Sequence, residues 1–464
     1  MSKVLSLSRR SMLSRMAFTI AGVCVADSAF ADGETYWATE PVTCHWIGSV
    51  QRGMTFQSDY DEGSYPIPSE AYADWTNQNN WAEGIVPGLV QVPQPDGSIL
   101  TNGSRGCTAV FNGDCMIRVI ALEGHVSVGN IRVTGATAPR FVFGRWKWSN
   151  PFLCIESGGR IDIDADVPEA PFIKSHIMPF EVPAVADQTM LTIANNSPSP
   201  LDIGYIGSIY PAFDHWVGVE NIRYEGTGEI RKRNKTYNSN WGAKICLAQD
   251  GGKYVVDSAP SADYGFGSVD NAYYISVDAD APRQHIEVPA GKAMSLDQNA
   301  VFDSVQGDLL IDGTGTIRFG EDKDCATASA SYGRTLEIAC RIEVCSGRGL
   351  KVGNSGRTGT VRLSGGNAFT SLNVANGAVC EVSSIGNAGE DSPVGIGTIG
   401  IANRAVFRYA GDGETTDRTL CGNGYGTIEV ASDGDLVWKG EIRPDTEGSL
   451  EYSYSVKTQC RVGS

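Results

Sequence analysis

Of 464 residues, 55 are Gly and 20 are Pro, and only 20% are charged, which describes a long chain dense in turns. Glycine at nearly 12%, against a usual ~7%, is unfavourable in helix interiors and argues against a helical bundle or coiled coil. A hydrophobic content of 41% still builds a core and argues against wholesale disorder, and a formal net charge of −17 argues against a nucleic-acid partner held through its phosphates.

In chain order, residues 1–31 read as an export signal. Lys3, Arg9, Arg10 and Arg15 lead into an apolar run from Met16 to Val25, and the small-residue site Ala29-Phe30-Ala31 precedes Asp32. The run is shorter than a membrane span of ~20 residues. Ser8-Arg9-Arg10-Ser11-Met12-Leu13 fits either a twin-arginine signal or an ordinary basic leader. Cleavage after Ala31 leaves 33 basic and 53 acidic residues, so the mature chain is strongly acidic.

Residues 32–115 differ from the rest in composition. Trp37, Trp46, Trp75 and Trp81 crowd into this stretch, which reads as an irregular aromatic-rich cap. A stacked design exposes apolar surface and unpaired edges at its first rung, and bulky aromatics cover them. The alternative is a carbohydrate platform of exposed rings, with Trp75 and Trp81 as binding candidates.

From Met116 to the last residue the chain repeats one theme, a short alternating apolar run that follows a glycine and ends at a turn residue. Val126–Val133, Gly159–Ala165, Leu309–Ile311, Gly315–Phe319, Gly359–Leu363 and Gly426–Val430 are examples. Alternation places Val361 and Leu363, Phe407 and Tyr409, and Ile428 and Val430 inside, with Arg362, Arg408 and Glu429 outside. The same parity puts Cys380 in the core as a free thiol. Gly-Thr-Ile/Val recurs at residues 315, 359 and 426, which favours equivalent strands stacked one above another.

One stretch carries a family resemblance. Gly359-Thr360-Val361-Arg362-Leu363-Ser364-Gly365-Gly366-Asn367-Ala368-Phe369-Thr370, followed by Leu372-Asn373-Val374-Ala375-Asn376-Gly377-Ala378, resembles the autotransporter-associated β-strand repeat of bacterial surface proteins. The similarity runs over about residues 357–430, in a single clear copy, and lacks the family's Gly after Asn-x-aromatic-Thr. Trp46-Ile47-Gly48 and Asp74–Pro87 are similar to the opening of such exported proteins. The resemblance implies a passenger-like right-handed parallel β-helix with a surface or adhesive role rather than a defined chemistry.

Motifs for chemistry are sparse. Gly395-Ile396-Gly397-Thr398-Ile399-Gly400 matches a dinucleotide fingerprint in spacing, but alternating residues and a turn follow where a helix is needed. The five histidines are too far apart for a zinc site, and neither a metal nor a cofactor is expected. After cleavage eleven cysteines remain, and the spacings of Cys107/Cys115 and Cys340/Cys345 allow bridges. Asp162, Asp164 and Asp166 read as one outer row at strand spacing, either a solvated acidic face or, if the protein is an enzyme, the catalytic candidates. The basic run Arg231-Lys232-Arg233-Asn234-Lys235 offers Arg231 and Arg233 as candidates for an anionic glycan.

The sequence therefore predicts an exported all-β protein, a right-handed parallel β-solenoid behind an aromatic cap. It lies outside the cytoplasm, in the extracellular space, at the cell surface or in the periplasm, without a membrane span in the mature chain. The expected role is that of a structural or adhesion-type module without catalysis, whose partner is an extracellular glycan or surface protein. The alternatives are a β-helix polysaccharide lyase or glycoside hydrolase, and a carbohydrate-binding module.

Overall fold

A computed structural model of the chain describes residues 35–52, 72–93, 99–113, 115–122, 125–137, 140–145, 152–180, 190–206, 221–232, 244–256, 274–278, 280–296, 301–304, 307–319, 326–344, 349–423, 425–444, 455–456 and 461–462. The export signal lies outside the described residues. The fold is all-β with extensive parallel pairing, and the one helical element among the described residues is a single 3-10 turn at Gln78–Asn80. The chain divides into two compact units, one built from residues up to Ile206 with Tyr210–Gly218, the other from Val219 onward with Gly207–Ile209.

In the first unit, Thr43–Trp46 pairs in parallel with Thr108–Phe111, which pairs with Asn130–Val133, then Arg160–Ile163, then Thr192–Asn195. Parallel pairing thus begins well upstream of Met116, inside the stretch read as a cap. A second ladder joins Tyr72–Asp74 to Val119–Leu122 and on to Val142–Arg145. An antiparallel hairpin, Leu89–Pro93 with Ile99–Gly103, lies along His125–Ser127 and departs from the parallel pattern.

The second unit contains two long parallel ladders. One runs from Asn221–Gly226 through Lys244–Gln249, Tyr274–Val277, Val301–Ser304, Ala326–Ala330, Leu350–Val352, Ser371–Val374, Thr398–Ala402 and Leu420–Asn423 to Ile442–Pro444. The other runs from Ile230–Lys232 through Tyr254–Val256, Gln284–Glu287, Leu309–Asp312, Thr335–Ile338, Thr360–Leu363, Val379–Val382, Val406–Tyr409 and Thr427–Val430 to Ser455–Val456. The chain alternates between the two: described passages from the first to the second, such as Ala330 to Thr335 and Val374 to Val379, are short turns, and several returns carry a strand of a separate three-stranded sheet. This pairing is consistent with a parallel β-helix.

Parity dictates what each strand buries. Leu336, Val361, Cys380 and Phe407 are register partners and lie fully buried, as do Ile338, Leu363, Val382 and Tyr409 beside them. Val430 is buried and Ile428 half-buried, while Arg362, Arg408 and Glu429 stay outside, as the alternation requires. Each rung covers the apolar row of the one before it, so the core is a column of aliphatic and aromatic side chains between the ladders.

Glycine before the strand has a steric cause. A Cβ on Gly359 would overlap the carbonyls of Ser331 and Arg334, one on Gly315 those of Pro289 and Lys292, and one on Gly426 the Ile401 side chain. At Gly359 and Gly315 a turn of the preceding rung crosses directly against the glycine, and at Gly426 it is the end of the strand Thr398–Ala402 that does so. The expectation that the Gly-Thr-Ile/Val copies at 315, 359 and 426 are equivalent holds for two of those three. Thr360 and Thr427 lie in one ladder three rungs apart, whereas Thr316–Phe319 belongs to a separate three-stranded sheet with Ala293–Leu296 and Arg341–Val344. A close turn-to-turn approach occurs at more than one corner, so the motif marks the approach and not the face.

Candidate functional site

The acidic row does not form as strand spacing implies. The strand Phe152–Ile163 ends before Asp164, so Asp164 and Asp166 sit in the following turn. Asp162 pairs with Arg160 at 3.0 Å, Asp164 with Arg132 at 2.7 Å, and Asp166 accepts from the Gly135 backbone N–H at 3.1 Å. Three carboxylates engaged with three different donors are not a convergent acid-base pair. Among the described residues no group of three or more His, Cys, Asp and Glu side chains is placed to hold a metal ion.

The tryptophans are interior. Trp46, Trp75 and Trp81 are each at most 1% exposed. Trp81 meets Trp46 edge-on at a centroid distance of 5.1 Å and Trp75 at 4.9 Å, and Phe111 extends the cluster to Phe141 and Phe143. Every indole N–H is satisfied by a carbonyl: Trp46 donates to Ile117 at 2.8 Å, Trp75 to Pro87 at 3.1 Å and Trp81 to Trp75 at 2.8 Å. A buried ring has no face to offer a sugar, which removes Trp75 and Trp81 as a stacking platform.

Of the basic run, Arg231 lies in the strand Ile230–Lys232 and donates its Nε to Glu229 at 2.7 Å. Lys253 bridges Glu229, at 3.4 Å, and Glu287, so the local charge is largely neutralised. Arg233, Asn234 and Lys235 lie outside the described residues. Lys232 shares parity with Ile230 and is buried, and burial pushes its ammonium down to about 8.

His45 is gripped by a carboxylate. Its Nδ1 lies 2.6 Å from Glu83 Oε1, and its backbone N–H donates to Glu83 Oε2 at 2.7 Å. This orients an imidazole as a general base is oriented, but the neighbouring Cys44 faces the opposite way, into the core, its thiol pushed far up by burial. Cys107, Cys340 and Cys380 are buried likewise, whereas Cys115, Cys246 and Cys421 are half-buried. Cys107 is free and donates to the Ser104 carbonyl at 3.3 Å, so it is not bridged to Cys115. Cys340 is also free, its thiol raised by burial to about 12, and is not bridged to Cys345, which lies outside the described residues. Cys380 is a free, fully buried thiol with its ionisation suppressed by burial and by the Glu381 charge.

The most extended polar arrangement was not anticipated. Glu337, Arg362, Glu381, Arg408 and Glu429 are successive register partners, one per rung. Arg362 reaches back to Glu337 at 3.1 Å and forward to Glu381 at 2.7 Å, and Arg408 bonds Glu381 at 3.4 Å and Glu429 at 3.0 Å. Arg283 adds a further contact to Glu337 at 2.9 Å. The signal was present, a charged residue of alternating sign in the middle of each short strand. Reading it needed the register. Such a ladder neutralises itself and leaves no cationic or anionic group free to bind a ligand or move a proton.

Among the described residues no helix is long and apolar enough to cross a membrane. Neither a protein-family model, nor a curated protein, nor a solved structure matches this chain.

Proposed function

We propose that the protein is an exported structural module of adhesion type, displayed at a bacterial surface or secreted, and without catalysis of its own. On this reading it is a right-handed parallel β-helix whose first rungs are closed by the aromatic-rich N-terminal segment. Right-handedness follows from the twist of the strands, which lets a parallel crossover return on that side. The resemblance of residues 357–430 to the autotransporter-associated repeat points the same way. The observation that carries the proposal is the self-neutralised ladder from Glu337 to Glu429 running beside an uninterrupted apolar column. Polar groups spent on one another and on the backbone serve the scaffold in such a rod-like ladder of the second unit, whereas an enzyme needs some of them held unpaired in a cleft. Contact with an extracellular glycan or another surface protein is the function left to such a rod.

The test has two parts. Expressed in a bacterial host, the chain should be exported with its new N-terminus at Asp32, and the purified mature chain should release neither reducing ends nor unsaturated products from pectin, alginate or animal glycans, with or without calcium. Retention in the cytoplasm would remove the surface role. Turnover abolished by Asp162→Asn or Asp164→Asn would replace it with a β-helix lyase or hydrolase.

A further inference from the structure

The later rungs of the second unit have two kinds of edge that differ in charge, whereas the earlier turns on the first edge carry Glu229, Asp250, Asp278, Asp280 and Asp308. Where the chain passes from the first long ladder to the second in the later rungs, five successive turns include residues 331–334, 353–359, 375–378, 403–405 and 425–426. They carry Arg334, Arg357 and Arg404 and no acidic residue. Where the chain returns, residues 339–349 carry two basic residues and one acidic, residues 364–370 no charge, and residues 383–397, 410–419 and 431–441 eight acidic against two basic. A local excess of three positive charges thus stands out on a chain whose net charge is −17.

These turns are stacked. Thr360 N–H bonds the Arg334 carbonyl at 2.9 Å, Val379 N–H that of Gly359 at 3.1 Å, Val406 N–H that of Ala378 at 2.9 Å, and Thr427 N–H that of Ala405 at 2.9 Å. Four strand spacings of ~4.8 Å make a ridge about 19 Å long. Tyr332 at one end is 86% exposed and Tyr425 at the other 61%, and these are the exposed large hydrophobic side chains of this unit among the described residues. Neither Arg334 nor Arg404 has an acidic partner among the described residues, although most arginines of the unit are ion-paired or, like Arg418, buried.

The backbone supplies an independent observation. Among the described residues the three non-glycine residues with positive φ, Asn376 (59°), Asn403 (53°) and Arg404 (63°), all lie on this ridge. One rung below Asn403-Arg404 the corresponding turn is Asn376-Gly377, the sequence that adopts this conformation without a Cβ penalty. An arginine there is held against a steric cost that glycine does not have, and strain of this kind clusters where a side chain has a job.

We propose that this ridge binds a linear anionic polysaccharide, its carboxylate or sulfate groups taken by Arg334 and Arg404 and its sugar faces stacked on Tyr332 and Tyr425. The proposal rests on the adhesion-type reading and names the partner class for it. Guanidinium groups suit planar anionic groups, exposed tyrosines suit sugar rings, and the acidic returns at 383–397, 410–419 and 431–441 disfavour the same polymer.

The probes are polygalacturonate and heparin, with neutral dextran as control, titrated against the mature chain at low and high salt. Binding of at least one anionic probe, absent for dextran and weakened by salt, is expected. Arg404→Gly should lower affinity severalfold while raising thermal stability, because it removes the charge and the strained Cβ together, so lost binding cannot be blamed on misfolding. Tyr332→Ala with Tyr425→Ala should lower affinity about tenfold, and Lys439→Glu, on the acidic edge, should leave it unchanged. Failure of both anionic probes to bind, or binding indifferent to Arg404→Gly and the tyrosine pair, would overturn the ridge and leave the structural role standing. Depolymerisation of either probe would instead overturn the non-catalytic reading, and the same variants still decide where the polymer sits.

Discussion

Arg362 donates its Nε to Glu381 Oε1 across one strand spacing at 2.7 Å, and the two residues are exact register partners in neighbouring rungs. Each also serves a second partner, Glu337 for Arg362 and Arg408 for Glu381. Exposed pairs of this kind contribute roughly 0.2–1 kcal/mol each, so the ladder is a small part of the stability. Its larger effect is on register, since a slip by one residue turns every charge of the row into the apolar column.

Because the pairs are linked, exchanging two members does not restore the ladder. Arg362→Glu should destabilise by about 1–2 kcal/mol, through two lost attractions and two like-charge contacts. Adding Glu381→Arg restores one pair but sets Glu337 beside the new carboxylate and Arg408 beside the new guanidinium. Denaturant melts of the single and double variants should show no full rescue, and ~1 M salt should shrink the difference. Full rescue by the exchange would mean that the pair acts alone.

Cys380 lies between Val361 and Phe407 in the apolar column. Thiol reagents should modify it only after denaturation, as followed by mass spectrometry of the Cys380 peptide. Cys380→Val should fold with a small change, whereas Cys380→Ser should cost about 1–3 kcal/mol for a buried hydroxyl without a partner. Rapid labelling of the native chain would contradict the register.

Arg418 is fully buried and gives its guanidinium to the loop of the preceding rung. Nε donates to the carbonyls of Ile385 and Gly386 at 3.0 and 3.1 Å, Nη1 to that of Gly397 at 3.0 Å, and Nη2 to the Glu390 carbonyl and Ser392 Oγ at 2.9 and 3.0 Å. Arg418→Met should cost about 3–5 kcal/mol by stranding these acceptors, and Arg418→Lys should recover little, since one ammonium cannot reach both ends of the loop. Limited proteolysis should cut first within residues 384–397. A variant as stable as the parent would remove this role.

Lys232 makes stability depend on alkaline pH. Its folded value is about 8, below the unfolded value near 10.5, so between these limits the unfolded chain binds the extra proton and stability rises with pH. Below about pH 8 both states are charged and the penalty of the buried ammonium is present in full. Thermal melts at pH 7 and pH 9.5 should show a gain for the parent that is absent in Lys232→Met, which should already be the more stable at pH 7. Parallel pH profiles for the two would exclude a buried charge.

Period-2 alternation was enough to specify an all-β chain and the inward parity of Val361, Leu363, Cys380, Phe407 and Tyr409, because parity is a property of consecutive residues. Burial of the tryptophans was also within reach, since large rings in a folded domain go inside unless something holds them out. The failures share one cause, which is that they depend on what lies beside a residue and not before or after it. The row from Asp162 to Asp166 ends with its strand at Ile163, a boundary that alternation does not mark. The Gly-Thr copy at 316 looks like those at 360 and 427 because close approach of the preceding rung selects glycine at any corner. Arg362 and Glu381 stand 19 residues apart in the chain, Arg408 and Glu429 21, and unequal turn lengths hide such pairings. Only stacking the rungs brings those charges into one ladder, and Tyr332, Arg334, Arg404 and Tyr425 onto one edge.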